Sequence, residues 1–304
     1  MNILHVNNQA SVAYLISRAQ RDLGHRSDLL AVPNPKQRAP DIPAKDVKDV
    51  FLNLMRLTPG YDIIHVHGGI GISGLGLMQY RALGKRFFAH YHGSELRKGI
   101  QTSFHRLAER IFISTPDLKR YQGHVGDREL IYIPNPVFID GVVPVDWEAK
   151  ARDLEKGAPL IIAHLPSIRK VKGTSNVVRG VKKAVTNGAD ITLDIIENVP
   201  IDEAMKRLEK AHICIDWMSP DYDIHGVVSL EAMIRGIPVV CNIDRSLYPD
   251  DIPIIASRPD ELADVLKGIY DSRSDLRSRG EASRAYTLKR HHPSKVAGMI
   301  ERYL

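Results

Sequence analysis

Eleven short apolar runs, separated by stretches of helical periodicity, constrain this chain more than any other feature. A strand buried on both faces reads as a continuous stretch of Ile, Leu and Val, and such strands belong to parallel sheets with helices on each side. The runs are Asn2–Val6, Asp28–Val32, Asp62–His67, Phe87–His92, Arg110–Ser114 and Leu130–Ile133, then Leu160–His164, Ile191–Ile196, Ile213–Trp217, Ile237–Ile243 and Ile252–Ala256. Their alternation with helices predicts α/β layers. A length of 304 residues allows one large or two medium domains. The segment Asn135–Pro159, rich in proline and charge, divides the runs into two sets and is the expected hinge between two Rossmann-like sheets.

The residues Asp223 to Val240, DIHGVVSLEAMIRGIPVV, follow the run Ile213–Trp217 and carry the densest chemistry. A helix is predicted from about Val228 to Arg235, stopping at Gly236, so a loop meets a helix N-terminus at the carboxyl end of a strand. Open α/β sheets bind ligands there, and the amides of Gly226, Val227 and Val228 suit an anion such as a diphosphate. Glu231 is expected in the first helical turn and Asp223 in the preceding loop, both facing one crevice. Upstream, LIIAHLPSIRKVKG (Leu160–Gly173) runs from a strand into a basic loop and then a helix over Thr174–Asn187.

Asp223-x7-Glu231, with Gly226 and the run LEAM…G.PVV, resembles the E-x7-E signature of retaining GT-B glycosyltransferases, especially glycosyltransferase family 4; Asp stands in the place of the usual first Glu. The resemblance implies two Rossmann-like domains facing a cleft, the GT-B fold. It implies an acceptor domain over 1–140, a nucleotide-sugar domain over 141–291, and a final helix, about 292–304, returning to the first. It further implies that Asp223 holds the donor sugar, that Glu231 holds the ribose, and that Arg169 and Lys172, with Lys170 as a competitor, neutralise the diphosphate. The loop Glu197–Asp202 is expected near the base, and Ile133-Pro-Asn-Pro136 resembles the family's interdomain turn, with Asn135 a turn residue. No metal and no cofactor are implied. The resemblance implies a UDP- or GDP-sugar as donor and a glycan or lipid-linked acceptor.

Two His-x-His pairs, His65/His67 and His90/His92, each place two imidazoles on one face of a strand end. They suit the glycosyltransferase reading, in which His92 of the loop His92-Gly93-Ser94-Glu95 approaches the donor sugar while His65 and His67 pack. They also suit a metal-dependent hydrolase. A third reading is a non-catalytic nucleotide-sugar-binding protein, because the first βα turn, Asn7-Asn8-Gln9-Ala10-Ser11, has no glycine where family members have a Gly-rich loop. In the glycosyltransferase reading the asparagines of this turn are expected to bond the acceptor in place of a Gly-rich phosphate contact, and Ser11 to cap the helix that follows.

Charge divides unevenly. Residues 1–140 hold 18 Lys/Arg against 12 Asp/Glu and residues 141–304 hold 24 of each, so the net +6 lies in the first part. Arg81, Lys85, Arg86, Arg97 and Lys98, interleaved with Phe87, Phe88 and Tyr91, are expected to form a surface for anionic lipid headgroups. No nucleic-acid motif accompanies the charge. With no apolar run of eighteen residues and a strand at the outset, the chain is expected to be cytoplasmic, in peripheral contact with the inner membrane face. Cys214 and Cys241 lie in core strands without CxxC spacing and are expected as buried free thiols.

Overall fold

The computed structural model describes residues 1–68, 83–99 and 103–304. The chain divides into two units, the first being Met1–Pro136 with His291–Leu304 and the second Val137–Arg290.

The first unit is built on a parallel sheet of seven strands: β1 (Asn2–Val6), β2 (Arg26–Ala31), β3 (Ile42–Pro43), β4 (Ile63–His67), β5 (Arg86–Tyr91), β6 (Arg110–Ile113) and β7 (Leu130–Tyr132). Their spatial order is β3-β2-β1-β4-β5-β6-β7, so the winding reverses between β1 and β4. Alternate residues divide the strands between two faces. Leu4, Val6, Ile64, Val66, Phe87, Ala89, Ile111 and Ile113 pack into one apolar core, while the opposite face carries His5, His65, His67 and His90 beside Phe88 and Phe112. The two-residue β3 escaped the sequence reading because it is too short for a periodic signal, and Pro43 confines it to an edge.

The last residues complete this unit. Arg86 donates to both oxygens of Glu109 at 2.8 Å, to the carbonyl of Tyr303 at 2.7 Å and to that of Leu304. His25 Nε2 lies 2.8 Å from Glu301, and Tyr303 packs edge-on against Phe112.

The second unit has a five-stranded parallel sheet: β8 (Leu160–His164), β9 (Ile191–Ile195), β10 (Ile213–Ile215), β11 (Val239–Cys241) and β12 (Ile255–Ala256), in the order β12-β11-β10-β8-β9. The winding reverses between β8 and β10. Leu160, Ile162, Ile213, Ile215 and Val240 face one core, and Ala163, Cys214, Val239 and Cys241 the other. Both cysteines are free and buried, and burial pushes the Cys241 thiol up to about 12.

Strands β11 and β12 are shorter than the apolar runs that announced them. Ile252 and Ile254 are buried core residues without belonging to a strand, so apolarity there reports burial and not ladder pairing. No described helix is long and apolar enough to cross a membrane.

Candidate active site

The reversal between β8 and β10 leaves a crevice at their carboxyl ends, and the loops that follow both strands converge there. After β8 a short helix, Arg169–Lys172, ends on Gly173, whose φ of 72° and close approach to the Met218 carbonyl, 2.3 Å from a built Cβ, leave no room for a side chain. After β10 the chain passes Asp216 and Trp217 and reaches Gly226, the cap of the helix Val227–Ile234.

Asp216 joins the two loops. One carboxylate oxygen accepts from Lys172 Nζ. The other accepts from Gly226 N–H at 2.9 Å and Ser229 Oγ–H at 2.7 Å. The acid is 1% exposed and Lys172 is 5% exposed. Burial pushes the Asp216 carboxyl up, but Lys172 and the two hydrogen bonds outweigh it, leaving the carboxyl below its usual range. Lys172 Nζ also lies 4.1 Å over the Trp217 ring. A Cβ built on Gly226 would stand 2.7 Å from Trp217 Nε1, 3.0 Å from Asp216 Oδ2 and 3.0 Å from Lys172 Nζ, so only glycine fits. Trp217 Nε1 is buried with no hydrogen-bond partner among the described residues.

The other sequence-predicted residues sit around this knot. Arg169 forms a bidentate pair with Glu197, at 2.6 and 2.9 Å, which ties the loop expected near the base to the basic loop and holds the Glu197 carboxyl below its usual range. Lys170 is exposed. Asp223 lies half-buried in the loop, its carbonyl accepting from Asp244 N–H at 3.1 Å. Glu231 falls in the second helical turn, not the first, because the helix begins at Val227; its carboxylate pairs at 2.8 Å with Arg235 one turn later. The structure therefore brings Lys172 against Gly226, while Arg169 turns to Glu197 and Glu231 to Arg235.

In the first unit, the turn after β1 has a conformation suited to glycine although it contains none. Asn7, Ala10 and Ser11 have φ of 71°, 51° and 59°. The asparagine side chains are occupied within the unit: Asn7 Nδ2 donates to His67 O at 2.7 Å, Asn7 Oδ1 accepts from Asn8 N–H, and Asn8 bonds Arg38 O and Tyr14 N. Both side chains thus hold backbone groups of the first unit. Ser11 stands at the helix N-cap, but its hydroxyl accepts from Arg38 N–H at 3.0 Å instead of capping.

His92 lies at the end of β5, half-buried, with both ring nitrogens engaged: Nε2 lies 3.2 Å from His67 Nδ1 and Nδ1 lies 2.7 Å from Ser114 Oγ. Burial lowers its pKa, and the nearby Glu95 opposes this. Burial also lowers His5 to about 4 and takes His65, His67 and His90 well below the imidazole range, so all five rings are neutral at neutral pH. His5 had no place in the sequence reading.

The lipid-headgroup surface does not form as expected. Phe87, Phe88 and Tyr91 are core residues, Arg86 is held by Glu109, and Arg97 pairs with the buried Asp117 at 2.7 Å. Arg81 lies outside the described residues. A cavity of about 540 Å³ opens beside Arg86, Glu109 and Arg128, at the amino ends of β5–β7, the end of the sheet away from the turn after β1.

No family model matches the sequence. A search of curated proteins finds no match either. Solved structures do match over the whole chain. HepE of Anabaena, in complex with UDP and glucose, aligns with a TM-score of 0.69 and 11% identity over 100% of this chain and 99% of that one. Sucrose-phosphate synthase from Thermosynechococcus elongatus gives 0.66 and 14% over 100% and 98%. An α-glucosyltransferase in complex with UDP and a 13-mer DNA containing an HMU base gives 0.68 and 13% over 99% and 98%. The chain has the GT-B fold.

Within this GT-B chain one expectation about the anion site changes. The Gly226 amide is donated to Asp216 and is not free, so the open donors of the helix start are those of Val227 and Val228, which have no intrahelical carbonyl to reach. Asp216, Trp217 and Ser229 were missed in the sequence. The available signal was an acid and a tryptophan directly after the buried run ICI, at the carboxyl end of a strand.

Proposed function

We propose that the protein is a glycosyltransferase that moves a sugar from a nucleoside diphosphate sugar, bound by the second unit, to a glycan or lipid-linked acceptor bound by the first, with retention of configuration. The observation that carries this reading is the buried Lys172–Asp216–Gly226 knot at the strand-order reversal of a GT-B sheet. It presents a cation, two helix-start amides and the Trp217 N–H, which has no partner among the described residues, at one place. Such preorganised donors stabilise the negative charge that develops on a departing diphosphate. In this reading Arg169 and Lys172 face the diphosphate, Glu231 grips the ribose and Asp223 holds the sugar hydroxyls. The donors are fixed protein groups, so the reaction needs no metal at the diphosphate. Arg169 and Glu231 each exchange a present partner, Glu197 or Arg235, for the ligand. His92 contributes a hydrogen bond to the sugar once one of its two ring contacts opens.

The solved relatives bound to UDP make uracil the first base to test. Titrating UDP and GDP into the purified protein is expected to give saturable heat with one of them, lost in Glu231→Ala at unchanged fold. Saturable nucleotide binding that Glu231→Ala leaves intact refutes the role given to Glu231. No binding of any nucleoside diphosphate refutes the function.

A further inference from the structure

The transfer reading gives His92 a task but leaves His5, His65, His67 and His90 of the first unit without one. Parallel register sets His5 beside His65 and His67 beside His90, with ring centroids 4.4–5.2 Å apart among His5, His65 and His67. Five contacting imidazoles on a buried sheet face are a poor substitute for an apolar core, since each ring nitrogen needs a partner.

The hydrogen bonds between them run in one direction. Gln20 Oε1 accepts from Ser27 Oγ–H at 2.9 Å and lies 2.7 Å from His5 Nε2. An amide oxygen only accepts, so His5 carries its proton on Nε2 and presents a lone pair at Nδ1. That lone pair accepts from His67 Nε2–H at 2.9 Å, and His67 Nδ1 accepts from His92 Nε2–H at 3.2 Å. His92 Nδ1 accepts from Ser114 Oγ–H at 2.7 Å, and Ser114 Oγ accepts from His90 Nε2–H at 3.2 Å. The chain stops at His90 Nδ1, buried without a partner among the described residues. His65 Nε2 is the second such nitrogen.

We infer that His5, His65 and His67 bind one divalent late transition-metal ion, zinc foremost, within the first unit. One nitrogen from each ring lies within 4.8 Å of the other two. Tetrahedral zinc with bonds of about 2.0–2.1 Å needs nitrogens about 3.3 Å apart, and His5 Nδ1 and His67 Nε2 already stand 2.9 Å apart. Neutral imidazole is the ligating form, and an all-nitrogen set favours zinc, cobalt, nickel or copper over magnesium or calcium. Gln20 already fixes the His5 tautomer from outside, the arrangement that metal-bound histidines generally have.

The proton balance closes within the same chain. With His65 protonated on Nδ1, the metal takes the lone pairs of His5 Nδ1, His65 Nε2 and His67 Nε2, and the proton on His67 Nε2 departs. His67 then takes the proton of His92 on Nδ1, His92 that of Ser114, and Ser114 that of His90. His90 takes up one proton at Nδ1, so every ring stays neutral and no net proton is released. The two imidazole nitrogens without a partner among the described residues gain a role, His65 Nε2 as ligand and His90 Nδ1 as the terminus.

The test uses the full chain, stripped with chelator and dialysed against zinc with excess magnesium. One zinc per chain is expected to survive gel filtration, and cobalt in its place is expected to give visible bands of a nitrogen-ligated, four- or five-coordinate ion. His65→Asn abolishes retention, Gln20→Ala weakens it about 10–100-fold, and His292→Asn, outside the cluster, leaves it unchanged. A folded wild-type protein that retains no zinc overturns the inference, as does retention undiminished by His65→Asn. If His65→Asn does not fold, wild-type affinity in Gln20→Ala overturns it. Nucleotide binding by the second unit does not depend on this outcome, so failure here leaves the transfer reading standing.

Discussion

Converting Asp216 to Asn gives the most demanding test of the second unit. The substitution keeps the shape but turns one of the two accepting oxygens into an NH2 group that faces another donor, and it removes the charge that balances Lys172, whose side chain is 7% exposed. A buried ion stripped of its partner costs about 3–5 kcal/mol. The unit spans Val137–Arg290, and an unfolding entropy of about 2.1 cal/mol/K per residue gives roughly 0.3 kcal/mol/K, so Tm should fall by roughly 9–15 °C. Lys172→Met alone is also expected to destabilise, by leaving the carboxylate with only Gly226 and Ser229 as partners. The double variant Asp216→Asn/Lys172→Met removes both charges and should recover at least about 2 kcal/mol relative to the sum of the singles. Calorimetry and urea unfolding of all four proteins close the cycle. Additivity within about 0.5 kcal/mol would show that the two side chains do not form a buried pair.

Three further outcomes are expected. His225 is buried, and its pKa falls from 6.5 to about 4 through burial, with Gly226 and Asp216 opposing. Since the unfolded chain takes up this proton first, stability is full above pH 6.5 and declines towards pH 4, by about 2 kcal/mol at pH 5; His225→Gln should flatten this part of the pH–Tm profile, and an unchanged slope would exclude the residue as its source. Ala10→Gly relieves a left-handed alanine and is expected to raise Tm by about 2–3 °C, the relief of about 1–2 kcal/mol being partly offset by unfolded-state entropy; a lower Tm would refute the strain. Gly226→Ala drives a methyl into Trp217, Asp216 and Lys172 and should abolish nucleotide binding in calorimetry, whereas wild-type affinity would mean that the loop has slack.

Periodicity in the sequence located the strands because unbroken apolar runs have few alternatives to a doubly covered parallel sheet. It failed where burial and pairing part company, as at Ile252 and Ile254, which are buried outside any strand. In the candidate site, Lys172 and Gly226 were legible from their flanking elements, but Asp216 was not. Read as one more residue of a strand, it gives no sign that its carboxylate binds two loops, a fact that exists only after β8 and β10 become neighbours. His5 escaped for the same reason. It lies 60 positions from its register partner His65, and only the pairing of β1 with β4 gathers the rings. The geometry of the first turn was not legible either, because asparagine, alanine and serine hold left-handed conformations there that composition associates with glycine.

The first unit is closed by residues that follow the whole of the second unit in the chain. During synthesis, the ribosome finishes β1–β7 long before Pro293–Glu301 and the carbonyls of Tyr303 and Leu304 exist to meet Arg86. Through that interval Phe112 lacks the aromatic ring that later packs against it, and His25 lacks Glu301. The nascent first unit must therefore wait, incompletely covered, while about 150 residues of the second emerge at about 5–20 residues per second. Several seconds of vulnerability to proteases and chaperones are thus written into the order of the chain, and they end only once Tyr303 and Leu304 have left the exit tunnel.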